Sequence, residues 1–171
     1  MKAKVIRKIV MNELQKEADM LSIERPDVHF YRDKAEQGIW VWGEVGPDDN
    51  YEICIVNVDS LKEKELVDLA YHTAKIMRGT WQRQTCDNDF FEAYVTTDRS
   101  ETEEENEYPL DEVDAAAFGM LYTSTFYGNL PQEFGLYGTG FFDCIMQRVV
   151  DISSEFGDAE KRIRLGKEID F

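Results

Sequence analysis

Tyr71, His72 and Lys75 lie within LAYHTAKIMRG, residues 69 to 79, at the positions where a zinc-binding HExxH helix carries histidine, glutamate and histidine. In that pattern two imidazoles one helical turn apart aim at one tetrahedral ion, a third ligand comes from elsewhere in the chain, and the glutamate acts as general base. Here the ligand positions hold tyrosine and lysine, and the base position holds histidine. A protonated lysine repels a cation and has no acceptor, and tyrosine near its ordinary pKa of about 10 is neutral. The register that starts at His72 is no better, because Thr73 becomes the base and Ile76 the second ligand. The triplet therefore predicts no metal and no cofactor. It reads first as a structural polar network, with a rebuilt binding or catalytic pocket and an ordinary surface arrangement as the alternatives.

These residues need a helix to bring them together. Ser60 and Glu63 have the spacing of a capping box, and Leu66, Ala70, Thr73 or Ala74, and Met77 form a core-facing stripe that ends at Gly79. On such a helix Tyr71 and Lys75 share a face, with His72 beside them. Upstream, Ile6, Ile9, Val10, Leu14, Ala18 and Leu21 predict an opening amphipathic helix that stops before Pro26. VHFYRD, GIWVWGEV and YEICIVNV predict three strands, the last two joined by a turn at residues 46 to 50. Trp40 and Trp42 alternate onto one strand face, which is expected to meet a helix. Downstream, Pro109 to Asp111 opens a helix that Gly128 ends, NLPQEFGLYGTG is a loop, and a last helix spans FFDCIMQRVVDISSEF.

Runs of strands followed by runs of helices predict an α+β fold, with helices packed on one face of a small three-stranded antiparallel sheet. The 171 residues suffice for a single domain. That domain is read over residues 1–156, with an exposed acidic loop at 98–108 and a polar tail at 157–171. Between Asp98 and Asp114 nine residues are acidic and one, Arg99, is basic. The whole chain carries 19 Lys plus Arg against 35 Asp plus Glu, a net charge of −16. Such a charge repels nucleic acid and anionic membrane and favours a basic partner. Three cysteines without CxxC spacing suggest neither a disulfide framework nor a zinc ribbon, and a cytoplasmic setting is expected. No run reaches the roughly 20 apolar residues of a membrane helix.

The stretch YEICIVNVDSLKEKELVDLAYHTAKIMRGTWQ resembles the edge strand and active-site helix of small zincin-like metallopeptidases of phages and mobile elements, of the ImmA/IrrE type. PLDEVDAAAFGML resembles their third-ligand helix, with matching positions at Glu112, Asp114, Ala115 and Phe118. The likeness covers residues 1 to 128 by element order. It implies that Glu112 is the one family ligand retained, and that Tyr71, His72, Lys75, Glu112 and Asp114 form a remnant site in which Lys75 can pair with Glu112. It also implies a phage or mobile-element origin.

Three functions follow. The leading expectation is a non-catalytic interaction protein on a degenerate zinc-peptidase scaffold that binds a basic protein. Its specialised form inhibits a nucleic-acid-binding host protein, such as a defence nuclease, through Glu101, Glu103, Glu104, Glu105 and Glu107 acting as a DNA mimic. The alternatives are a zinc-dependent, metallopeptidase-like enzyme with a rebuilt site, and an acidic structural or accessory protein. His29 is expected to be an ordinary hydrogen-bonded residue rather than a ligand.

Overall fold

A computed structural model describes residues 3–47, 50–97 and 107–169. The described chain is an α+β domain in which the Ile6, Val10, Leu14, Ala18 stripe drives the first helix, α1 (Ala3–Leu21), onto the core. α1 ends as Ser22 turns into the left-handed region, φ 54°, and the Ile23 N–H donates to the Ala18 carbonyl, a Schellman closure ahead of Pro26. Three strands follow: β1 (Asp27–Tyr31), β2 (Trp40–Val45) and β3 (Tyr51–Val56).

The sheet is mixed rather than antiparallel, in the order β1-β3-β2. β2 runs antiparallel to β3, with the Gly46 N–H donating to the Asn50 carbonyl beyond the last strand pair, while β1 runs parallel to β3. Residues 32–39 make this order reachable by carrying the chain across the end of β3, where Asn57 holds them. Its Nδ2 donates to the carbonyls of Asp33 and Gly38, and its Oδ1 accepts from the Asp33 N–H. β3 is therefore the central strand, not an edge; β2 is the edge beside the next helix.

Ile53 and Ile55 point into the helices and are fully buried, whereas Trp40 and Trp42 point away from them and stay exposed. The expectation that a helix covers the tryptophan face fails because the apolar demand of the helices is met by the other face, through Ile53, Ile55, Val28 and Phe30.

Two 3₁₀ turns, Val58–Ser60 and Glu63–Glu65, stand where a capping box was expected, and α2 (Leu66–Thr85) begins after them. α2 passes through Gly79 without stopping, because Gln82, one turn on, is buried and bonded to the Asp111 carbonyl and the Asp114 carboxylate. A short α3 (Asn88–Glu92) is capped by the Asp87 carboxylate, which accepts from the Phe90 N–H. It leads to β4 (Tyr94–Thr96), paired antiparallel with β5 (Glu107–Pro109). α4 (Leu110–Tyr127) ends at Gly128, φ 62°. After a 3₁₀ turn (Gln132–Leu136), α5 (Thr139–Ile169) runs well past Phe156. The described part of the tail read at 157–171, residues 157–169, is thus helical. Ala159 and Ile163 continue the stripe of Ile145, Ile152 and Phe156, so Gly157 lies inside the helix instead of ending it. Among the described residues no helix is long and apolar enough to cross a membrane.

Candidate functional site

α2 is packed by α1, α4 and β2. Its i, i+4 spacing puts Tyr71 and Lys75 on the side that faces α4. The two helices touch at Gly119, where a Cβ would stand 2.8 Å from the Tyr71 ring and 3.3 Å from Lys75 Cγ. Tyr71 is fully buried, with its ring edge-on to Phe134 at 5.1 Å. Its hydroxyl lies 2.8 Å from that of Tyr137.

The 3₁₀ turn supplies the polar partners. Lys75 Nζ sits 4.6 Å from the centre of the Tyr71 ring and 3.6 Å from Glu133 Oε1, and His72 Nε2 lies 3.5 Å from Glu133 Oε2. Asp68, one turn before His72, accepts from the Gln132 N–H at 3.0 Å and fixes the turn against α2. Glu133 thus takes the role expected of Glu112. Three residues of one helix face, Asp68, His72 and Lys75, hold the segment from Gln132 to Tyr137.

Protonation follows from this packing. Burial, the hydrogen bond to Tyr137 and the nearby Glu133 charge push the Tyr71 phenol far above its ordinary range, so it stays neutral. Tyr137 is pushed up to about 12, by burial and by Glu133, against its hydrogen bond with Tyr71. Burial holds His72 below the usual histidine value; Glu133 and Asp68 oppose this, and the Lys75 ammonium reinforces it.

Glu112 is elsewhere. α4 runs antiparallel to α2, with Gln82 bonding the Asp111 carbonyl at one end and Gly119 against Tyr71 at the other. Glu112 is exposed and lies two helical turns before Gly119, about 10 Å along the axis. Lys75 is level with Gly119 instead, and its carboxylate partner is Glu133. Asp114 is fully buried but belongs to a separate cluster. It accepts from Arg78 Nε at 2.8 Å, from Gln82 Nε2 at 2.8 Å and from Arg148 Nε at 2.9 Å. Burial would raise its pKa, but these donors outweigh burial and hold it below the usual carboxylate range.

The residues present do not fit zinc. The Tyr71 oxygen is committed to Tyr137, the Lys75 ammonium is a donor paired with a carboxylate, and Glu112 is remote. Among the described residues no three His, Cys, Asp or Glu side chains converge as a metal site. What the arrangement can do is present one imidazole at a groove. His72, Asp68 and Leu69 of α2 line a cleft of about 510 Å³ together with Glu65, the Trp40–Val41 start of β2 and the 37–39 segment.

Of the acidic residues expected to bind a partner, Glu101, Glu103, Glu104 and Glu105 lie outside the described residues. Glu107 is exposed and opens β5, paired with Thr96, so the expected loop gives way to strand at its end. His29 stands 3.3 Å from Glu52 on the outer sheet face, apart from His72. Sequence reasoning missed Glu133, Tyr137 and Phe134, whose glycine-rich surroundings signal only a turn. It also missed Glu13 and Glu17, which are buried on α1. Their i, i+4 placement inside the Val10, Leu14, Leu21 stripe was the available signal. Comparison with family models, with curated proteins and with solved structures finds no match to this chain.

Proposed function

We propose that this chain is a non-catalytic interaction protein, on a scaffold descended from small zincin-like peptidases, that binds a basic protein partner in the cytoplasm. The observation that carries the non-catalytic part is the pairing of Lys75 with Glu133 over the buried Tyr71 ring. A positive charge and a neutral phenol fill the positions of two metal ligands. Both are held by groups that a metal site would not need. The net charge of −16 supports a basic partner by long-range attraction. A nucleic-acid-binding host protein, with Glu101, Glu103, Glu104, Glu105 and Glu107 competing for its phosphate-binding Arg and Lys, is the specialised form of the same reading.

Two measurements test it. Metal analysis of the purified protein should find no stoichiometric zinc, and zinc that is lost in His72→Ala would restore the enzyme reading. Capture of basic proteins should weaken steeply with salt and on changing those five glutamates to glutamine. Capture that survives both changes removes the basic-partner reading and leaves an acidic accessory protein.

A further inference from the structure

The strand register sorts the outward side chains of the sheet into three rows. Asp27, Glu52 and Glu44 form the first, His29, Cys54 and Trp42 the second, and Tyr31, Val56 and Trp40 the third. None of the nine is lysine or arginine. Tyr31, Trp40 and Trp42 remain 48%, 55% and 39% exposed, although aromatic rings are the costliest side chains to leave in water.

These rings form an ordered wall. Tyr31 and Trp42 lie parallel within 6°, 6.3 Å apart, on either side of the buried Cys54. The Trp42 indole N–H donates to Glu44 Oε2 at 3.2 Å, and the Cys54 thiol donates to Glu44 Oε1 at 3.2 Å, so the carboxylate is anchored beside the indole. Like charges facing one another across strands are destabilising, and within the three rows the one group that can offset them is His29, 3.3 Å from Glu52 and a cation only when protonated. The face thus combines flat π surfaces with carboxylates in excess of cations.

We infer that this outer sheet face docks an arginine-bearing segment of a basic protein, the guanidinium lying on the Trp40 and Trp42 indoles and pairing with Glu44 and Glu52. The inference rests on the basic-partner reading and places the contact on the sheet instead of the acidic segment. A planar guanidinium stacks on an indole while it pairs with a carboxylate at its edge, which a compact ammonium does less well. The chain uses that combination internally. The Arg78 guanidinium lies 3.7 Å above the Trp81 ring and is paired with Asp114. A second copy of the chain is a poor occupant, because its own acidic row and net charge of −16 would face the same sign.

The probes are an Arg-Gly repeat peptide and its Lys-Gly counterpart, titrated into the full chain and followed by the indole N–H signals of Trp40, Trp42 and Trp81. The arginine peptide should shift the Trp40 and Trp42 signals, leave Trp81 unmoved, and bind about tenfold tighter than the lysine peptide. Trp40→Leu with Trp42→Leu, and separately Glu44→Gln with Glu52→Gln, should each weaken the arginine peptide by about tenfold or more. Equal binding of the two peptides with unmoved Trp40 and Trp42 signals overturns the inference. Binding that persists in the tryptophan variant but disappears when Glu101, Glu103, Glu104, Glu105 and Glu107 become glutamine also overturns it, while the basic-partner reading survives. Failure of both peptides to bind overturns it as well, and capture of basic proteins then decides the broader reading.

Discussion

The Thr73 hydroxyl oxygen lies 2.6 Å from Oε1 and 2.9 Å from Oε2 of Glu17, a carboxyl with no solvent exposure, and 3.1 Å from the Ala70 carbonyl. One hydroxyl proton cannot serve all three acceptors. If Glu17 is protonated, its O–H donates to Thr73 and the Thr73 O–H donates to Ala70, so each proton has an acceptor and no buried charge remains. Burial raises the Glu17 pKa well above 4.5, and the Glu13 charge adds to this against Thr73 and Lys16.

A sign follows for stability. The folded-state pKa of Glu17 is raised, so the native state binds the extra proton. The associated stability is fully present below the ordinary value of 4.5 and is lost as pH rises through the folded value. The contribution declines by up to about 1.4 kcal/mol per pH unit across that window. Glu17→Gln keeps the shape without the charge, and its amide can donate to Thr73. Urea unfolding at several pH values should show the variant gaining on the wild type as pH rises, and a wild-type advantage at high pH would refute a buried neutral Glu17.

Asp114 behaves oppositely. Its lowered pKa makes its stabilising contribution present above the ordinary value of 3.8 and lost as pH falls through the folded value. Arg78→Ala leaves the buried carboxylate without its main partner and should cost about 3 to 5 kcal/mol. Glu112→Ala, on the exposed side of the same helix, should stay within about 0.5 kcal/mol. Comparable losses in the two variants would mean that Glu112 has the structural role assigned to Asp114.

Two glycines of neighbouring helices should respond in opposite directions to alanine. Gly119→Ala drives a methyl into the Tyr71 ring, at 2.8 Å, and should destabilise by about 1 to 3 kcal/mol. At Gly79 the nearest group is an Arg83 nitrogen at 3.6 Å, so Gly79→Ala should stabilise by up to about 1 kcal/mol through helix propensity. Thermal melts of the pair check the α2–α4 approach, which fails if both variants shift the same way.

The pairing at Glu133 can be read from His72 by proton NMR, with His29 as the second histidine of the chain. Glu133 raises the His72 pKa and Lys75 lowers it, so Glu133→Gln should move the titration to lower pH and Lys75→Met to higher pH. The partly exposed Lys75–Glu133 pair should contribute no more than about 1 kcal/mol to stability. Shifts in one common direction would show that His72 does not sit between the two charges.

Much of the element list was legible in the residues. The apolar stripe of α1, the Pro109 to Gly128 limits of α4 and the three β-rich segments all act locally, through spacing and chain-breaking residues. Gly79, and the polar composition from residue 157 onward, misled because local signals do not report packing farther along the chain. A glycine signals a helix end only where packing beyond it stops, and Gln82 and Ala159 are buried farther on. The parallel pairing of β1 with β3 was hidden because it depends on a crossing segment held by Asn57.

For the site, the sequence by itself determined that Tyr71, His72 and Lys75 occur on one helix and that two of them share a face, since i, i+4 geometry needs nothing beyond the helix. It also determined that these residue types make poor zinc ligands. Only the tertiary structure decided that Lys75 meets Glu133 instead of Glu112, that Asp114 serves Arg78, and that Trp40 and Trp42 face outward. Each of these outcomes depends on how helices and strands distant in sequence pack, and on which apolar face the core takes first.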